Sequence, residues 1–177
     1  MGEDLLSSRR IYEGRIVNLR VDSVRLPSGR ITEREIVEHR GAVGIVAVDE
    51  SGEVLLVNQF RAAVARTLLE IPAGTLEDGE EAEACALREL TEETGYVAQR
   101  IKELYVFYVS PGFSDERICL YLATDLTLGS QRVESDEIIE VVKVPLDRAL
   151  EMIGTGEICD GKSILGLIAA RAKLLTS

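Results

Sequence analysis

One histidine, His39, is all that this chain of 177 residues carries. That excludes a histidine-rich metal site and leaves a Ser–His–Asp triad poorly supplied. Cysteine is nearly as scarce. Cys85, Cys119 and Cys159 are far apart and odd in number, so neither a metal spacing nor a disulfide framework follows. They are expected to be small buried hydrophobes in a reducing compartment. Long apolar runs are missing too; a stretch such as Val43 to Val48 is far too short to span a bilayer. The opening Met1-Gly2-Glu3-Asp4 has neither a basic start nor an apolar stretch behind it, so no secretory leader and a cytoplasmic location are expected. There is no internal repeat, low-complexity tract or long linker. Positive charge is in deficit: 20 Lys and Arg stand against 31 Asp and Glu, a formal net charge of −11. A nucleic-acid binder shows the opposite footprint, so neither a nucleic-acid nor a membrane partner is expected. An acidic protein still binds a phosphorylated substrate if cations lie between the two. The useful question is where the carboxylates are concentrated.

What is present is an ordinary globular composition, 46% apolar and 29% charged, in a length that suits one hydrophobic core. Arg9 to Glu38 reads as short strands, with a turn at Pro27-Ser28-Gly29-Arg30. Ala42 to Asp49 and Val54 to Phe60 read as strands around the turn Glu50-Ser51-Gly52. In Leu68 to Gly74, Pro72 and Gly74 are expected to break regular structure. Thr75 to Gly79 follows as a short acidic loop. Glu80 to Thr94, made of good helix formers and closed by Gly95, reads as a helix. Val97 to Val109, Ile118 to Ala123 and Ile138 to Val144 read as further strands. Pro145 to Ile153 and Ser163 to Leu175 read as helices. Strands and helices are mixed, not strictly alternating, which predicts a mixed sheet with helices on both faces.

The carboxylates concentrate on the helix from Glu80. At about 100° per residue, Leu87, Leu90 and Thr94 share one side, and Glu89, Glu92 and Glu93 share another at i, i+3 and i+4. Like charges at that spacing repel one another. On an anonymous helix such a trio is a solvated face more often than a metal site. Here it follows a glycine loop, Ala73-Gly74, and Arg88 precedes it directly. Hard oxygen donors on a rigid helix suit Mg2+ or Mn2+, which would relieve the repulsion and bind a diphosphate.

From Gly74 the segment runs five residues to Glu80 and seven more to Arg88-Glu89-Leu90-Thr91-Glu92-Glu93-Thr94-Gly95-Tyr96. This resembles the Nudix box, G-x5-E-x7-R-E-U-x-E-E-x-G-U, where U is a bulky aliphatic residue. Only the last U departs, being Tyr96. The resemblance implies a Nudix-type α/β/α sandwich with a mixed sheet and an N-terminal antiparallel strand extension. Residues 1–40 would be dimer-forming strands and 41–177 the hydrolase domain. It implies hydrolysis of a nucleoside diphosphate linked to another moiety, with two to three Mg2+ ions, or Mn2+, at each site. Glu89, Glu92 and Glu93 would be metal ligands, joined by the backbone carbonyl of Ala73, and Glu77 is a further acidic candidate. Arg88 would hold an acidic side chain such as Glu80, as support for the loop on the helix.

Three further runs resemble the ADP-ribose pyrophosphatases of that family. Ser110-Pro111-Gly112-Phe113-Ser114-Asp115-Glu116 begins 15 positions after Gly95, with Pro111 at the sixteenth. In it Gly112 would let backbone approach a ligand, and Phe113 would cover a base or ribose. Asn58-Gln59-Phe60-Arg61 and Leu69-Glu70-Ile71-Pro72-Ala73-Gly74 are the second pair, with Arg61 the phosphate-contact candidate. The third is Glu134-Ser135-Asp136-Glu137, where relatives carry a general base. Glu137 fits best by the following Ile139-Glu140-Val141, and Glu134 is the runner-up. The likeness also implies a homodimer with exchanged N-terminal strands, in which Arg15 and Ile16 would help to build the adenosine pocket. Asp160-Gly161-Lys162-Ser163 also resembles relatives; it reads as a turn and helix start, and a phosphate role for Lys162 is not expected. The alternatives are the same chemistry on another nucleotide sugar or dinucleotide, and a non-catalytic ADP-ribose sensor.

Overall fold

The computed structural model describes residues 2–129 and 140–175, which fall into two compact units. The first comprises Met1–Gly41 and Phe107–Ile118, the second Ala42–Val106 and Cys119–Ser177.

In the first unit β1 (Asp4–Glu13), β2 (Val17–Arg25) and β3 (Ile31–His39) form an antiparallel three-stranded sheet in that order. The β2–β3 connection is the expected turn. Gly29 takes φ +85°, which a side chain would resist, and Leu26 N–H donates to Arg30 O at 2.9 Å. Strand β1 starts at Asp4 instead of Arg9, because it pairs along β2 from Asp4 opposite Arg25 onwards, a partnership no local signal announces. All ten of its residues are exposed, Leu5, Leu6, Ile11 and Tyr12 among them. The loop at 110–116 is tied to β3. Val37 N–H donates to Phe113 O at 2.8 Å, Asp115 N–H to Val37 O at 3.2 Å, and His39 N–H to Asp115 Oδ1 at 2.8 Å.

The second unit is built on a seven-stranded mixed sheet. Its strands are β4 (Ala42–Val48), β5 (Glu53–Arg61), β6 (Arg66–Glu70), β7 (Ala73–Thr75), β8 (Tyr96–Tyr108), β9 (Arg117–Leu128) and β10 (Glu140–Pro145). The main order is β10-β5-β4-β9-β8, with β6 on β5 and β7 on β4. Strand alternation sorts the core into two layers. Val43, Ile45 and Ala47 face α1 (Ala82–Thr94), whose Cys85, Ala86 and Leu90 are fully buried against them. Gly44 and Val46 face the other way, towards α3 (Gly161–Leu174). There a Cβ on Gly166 would meet Val46 Cγ2 at 2.9 Å, so the helix packs backbone-close on the sheet. Helix α2 (Leu146–Thr155) packs on α3 and β10. The sheet of this unit is thus covered on both faces, as expected. No helix among the described residues is long and apolar enough to cross a membrane.

Four local expectations are corrected. Gly74 does not break structure: it lies inside β7, paired with Val43, and the break falls at Ile71-Pro72. Strand β6 was hidden because an unbroken Arg66-Thr67-Leu68-Leu69-Glu70 lacks clean alternation; its pairing with β5 decides it. Helix α1 begins at Ala82, because Glu80 is held outside it by the turn in which Glu80 N–H donates to Glu77 O at 3.1 Å. Cys85 and Cys119 are buried as expected, but Cys159 is exposed, since it lies in the loop just before α3.

Candidate active site

Arg88 lies at the centre of the α1 carboxylates. Its Nε and Nη2 donate to the two oxygens of Glu80 at 2.9 and 3.0 Å. Its Nη1 donates to Glu89 Oε1 at 2.8 Å and Glu92 Oε2 at 2.9 Å. Hydrogen bonding from Arg88 holds the Glu80 carboxyl down at about 2, and the Glu80 contact in turn raises the Arg88 guanidinium. The expected Arg88–Glu80 support is therefore present. The side chain of Glu80 also accepts from Glu77 N–H at 3.0 Å, which pins the acidic loop to the helix. Glu77 itself is exposed.

Glu93 is held by the strand that precedes the acidic loop. It is only 5% exposed, and its Oε2 accepts from Ala73 N–H at 3.1 Å. A carboxylate at that depth is no solvated face. The same loop touches Glu89: a Cβ on Gly74 would overlap the Glu89 carboxyl group as it lies here, so a side chain at 74 would displace it. Helix α1 and strand β7 thus bring Glu89, Glu93, Ala73 and Gly74 together. Among the described residues, no three acidic, histidine or cysteine side chains converge on one point at ligating distance. Glu89 and Glu92 are turned to Arg88, and Glu93 to a backbone amide. Below them burial lifts the Cys85 thiol to about 12, which makes it an unreactive part of the core.

Arg61, at the end of β5, is not a loose strand-end arginine. Its Nε and Nη2 donate to Glu70 Oε1 and Oε2 at 2.9 and 2.7 Å, a two-pronged pair. Glu70 is 1% exposed and also accepts from Lys162 Nζ. Lys162 donates on to Asp160 Oδ2 at 2.9 Å. Burial works to raise the Glu70 carboxyl, but Arg61 and Lys162 outweigh it and hold the group below its ordinary value. Asp160 caps α3 by accepting from Ser163 N–H at 3.0 Å and Ser163 Oγ at 2.6 Å. Ser163 Oγ in turn accepts from Ile71 N–H at 2.9 Å, one residue before the proline that leads to Ala73. Sequence reasoning missed Glu70, Asp160 and Ser163 as parts of this region. The helix start at Asp160 was legible, because an Asp three residues before a Ser is an N-cap pattern, but its reach to Glu70 is a tertiary contact.

In the first unit, Arg15 and Ile16 occupy the bend between β1 and β2 and are exposed. With Gly14, Asn18, Glu38, His39 and Arg40 they line a cavity of about 300 Å³. Pro111, Gly112 and Phe113 are exposed at the tip of the 110–116 loop, and Phe113 keeps 58% of its surface. A Cβ on Gly112 would meet nothing within 4 Å, so no protein contact demands glycine there. Glu134 and Glu137 lie outside the described residues.

Comparison with known proteins gives matches along most of the chain. Residues 38–164 match the NUDIX domain family, and residues 3–37 match the nucleoside diphosphate sugar hydrolase N-terminal domain. An ADP-ribose pyrophosphatase of Bacillus subtilis (strain 168) is 43% identical over 91% of this chain and 88% of the relative. A methanol dehydrogenase activator of Bacillus methanolicus is 40% identical over 93% of this chain and 90% of the relative. Among solved structures, an ADP compounds hydrolase superposes with a TM-score of 0.89 at 19% identity, covering 99% of this chain and 96% of its own.

Proposed function

This chain belongs to the NUDIX family and is a Nudix hydrolase, and from that premise we propose that it hydrolyses the pyrophosphate bond of ADP-ribose to AMP and ribose 5-phosphate. The observation that carries the reading is the excess of carboxylate on α1 and in the turn before it. One arginine is shared by Glu80, Glu89 and Glu92, and Glu93 is buried beside the Ala73 amide. Such a donor set fits hard divalent cations. Glu89, Glu92 and Glu93, with the Ala73 carbonyl and Glu77 nearby, would hold two to three Mg2+ or Mn2+ ions. When bound, these ions would neutralise charge developing on the diphosphate and acidify water.

The chain's own residues supply the rest. Arg88 would keep Glu89 and Glu92 from splaying apart. Arg61, fixed by Glu70, would orient a phosphoryl group. Glu137, or Glu134 in its place, would accept the proton of the attacking water. Water would add to one phosphorus, the bridging P–O bond would break, and the leaving phosphate would carry the electron pair. The ADP-ribose reading is supported by the Bacillus subtilis relative and by the run from Ser110 to Glu116. Residues 1–40 would pair with a second copy as exchanged strands, a reading that the exposed apolar residues of β1 support. Arg15 and Ile16 with Pro111, Gly112 and Phe113 would then hold the adenosine and ribose ends.

A second reading, hydrolysis of another nucleotide sugar or a dinucleotide, is favoured by the N-terminal match to nucleoside diphosphate sugar hydrolases. The test is an assay of the purified protein with Mg2+ against ADP-ribose, ADP-glucose, GDP-mannose, NADH and dGTP. ADP-ribose should lead and yield AMP; a lead by GDP-mannose or NADH would move the substrate. Binding of ADP-ribose without turnover would make the protein a sensor. Glu137→Ala should lower turnover with metal binding kept, and an unchanged rate would transfer the base to Glu134.

A further inference from the structure

The Arg61–Glu70 pair already satisfies a buried carboxylate with two charge-assisted hydrogen bonds. Lys162 is a second cation on the same carboxylate. Stripping water from a lysine is costly, and Lys162 is only 10% exposed. Asp160 then balances Lys162, so these four side chains sum to zero, two cations, Arg61 and Lys162, and two anions, Glu70 and Asp160, while the charge of Glu93 also acts on Arg61. Within this group Arg61 alone keeps substantial exposure, 38% of its side chain, with its Nε–Nη2 edge turned to Glu70. Were Lys162 absent, Glu70 and Asp160 together would outweigh Arg61, and a polyanion approaching it would meet net negative charge.

We propose that Lys162 is a positioning residue for substrate binding: by sharing Glu70 and cancelling its charge, it leaves the outer side of the Arg61 guanidinium able to receive a phosphoryl group. Asp160 sets the strength of that effect with opposite sign, besides capping α3. This rests on Arg61 being the phosphate contact of the proposed reaction. The role is felt in binding, not in the bond-breaking step, so it acts on KM and not on kcat.

The experiment compares Lys162→Met, Lys162→Arg and Asp160→Asn with the wild-type protein, by steady-state hydrolysis of ADP-ribose at saturating Mg2+ and by calorimetric binding of ADP-ribose. Lys162→Met should raise KM and Kd about tenfold and leave kcat within about twofold. Lys162→Arg should return both constants to within about threefold of the wild type. Asp160→Asn keeps an oxygen to cap Ser163 but drops the charge, so it should not raise KM. A Lys162→Met that lowers kcat alone, or leaves KM in place, overturns the proposal. So does an Asp160→Asn that raises KM as much as Lys162→Met, since that pattern marks a purely structural cluster. If Lys162→Met does not fold, Lys162→Arg and Asp160→Asn still decide between these outcomes. A wild type inactive on ADP-ribose sinks the substrate reading alone, and the Kd values then decide the role of Lys162. Absence of both turnover and binding sinks both.

Discussion

Two charged clusters of the second unit carry the same residue types and differ in their sums. Around Arg88, Glu80 from the turn before α1 and Glu89 and Glu92 on α1 share one arginine, so one cation faces three anions, and Glu93 is buried beside the Ala73 amide. At the start of α3, Arg61 and Lys162 face Glu70 and Asp160, and the charges cancel. Glu70 is the deepest carboxylate of the two clusters. Glu70 is 1% exposed by side chain and Lys162 10%, against 15% to 37% for the three glutamates around Arg88. The difference follows from solvation. A buried group must close its own charge, because leaving one unpaired is severely destabilising. Groups nearer to solvent tolerate an excess, and an excess of hard oxygen donors on a rigid helix is what a divalent cation recognises. One cluster is built as a scaffold, the other as a receptor for positive charge.

Removing charge from the unbalanced side should do most. In Glu93→Gln the amide oxygen still accepts the Ala73 N–H, so the fold should persist while hydrolysis falls on the order of a thousandfold, roughly 4 kcal/mol of barrier. Full activity with a native circular-dichroism spectrum would remove Glu93 from the site. On the balanced side, Ser163→Ala takes the acceptor from the buried Ile71 N–H and a donor from Asp160. Urea unfolding should register a loss of roughly 1–3 kcal/mol, and an unchanged midpoint would show that the α3 start does not secure the Ile71 segment. Arg88→Met should lower stability by about 1 kcal/mol in EDTA, since three carboxylates lose their shared cation. Saturating Mg2+ should narrow that gap; a gap indifferent to Mg2+ would mean that cations do not replace Arg88 in screening the trio.

The smallest effect is one of pH. Glu80 has its carboxyl lowered from an ordinary 4.5 to about 2, first by the Arg88 hydrogen bonds. A lowered folded value means that its contribution is complete above about pH 4.5 and drains away as pH falls towards 2. The stability difference between the wild type and Glu80→Gln should therefore be level at neutral pH and close across that window. A gap that widens as pH falls would contradict the Arg88 account.

The sequence made the receptor far more legible than the scaffold. Fixed spacing from Gly74 to Tyr96 places Glu89, Glu92 and Glu93 on one face by helical periodicity alone, and Gly95 ends the helix with φ +77°, as its position predicts. Most strands of the second unit were readable within a few residues, because buried runs such as Val43 to Val48 are unambiguous in type. The scaffold was not readable. Arg61 and Glu70 lie on paired strands, but Asp160 and Lys162 arrive from some 90 residues away to complete it. Hydrophobic pattern carries no record of such a meeting. Gly74 was misread as a breaker for a related reason: its glycine answers to the Glu89 side chain, a partner outside its own strand. The exposed β1 was missed in part because its pairing with β2, and not local propensity, makes it a strand.

The central claim is that the α1 carboxylates are deficient in positive charge and take it up as divalent cations. Electron paramagnetic resonance of Mn2+ titrated into the wild-type protein and into a Glu89→Gln/Glu93→Gln variant tests it without reference to any substrate. The wild type should deplete the free Mn2+ signal with at least one ion per chain, and the variant should leave it largely undiminished. Equal uptake by the two proteins would place the cations elsewhere and contradict the account.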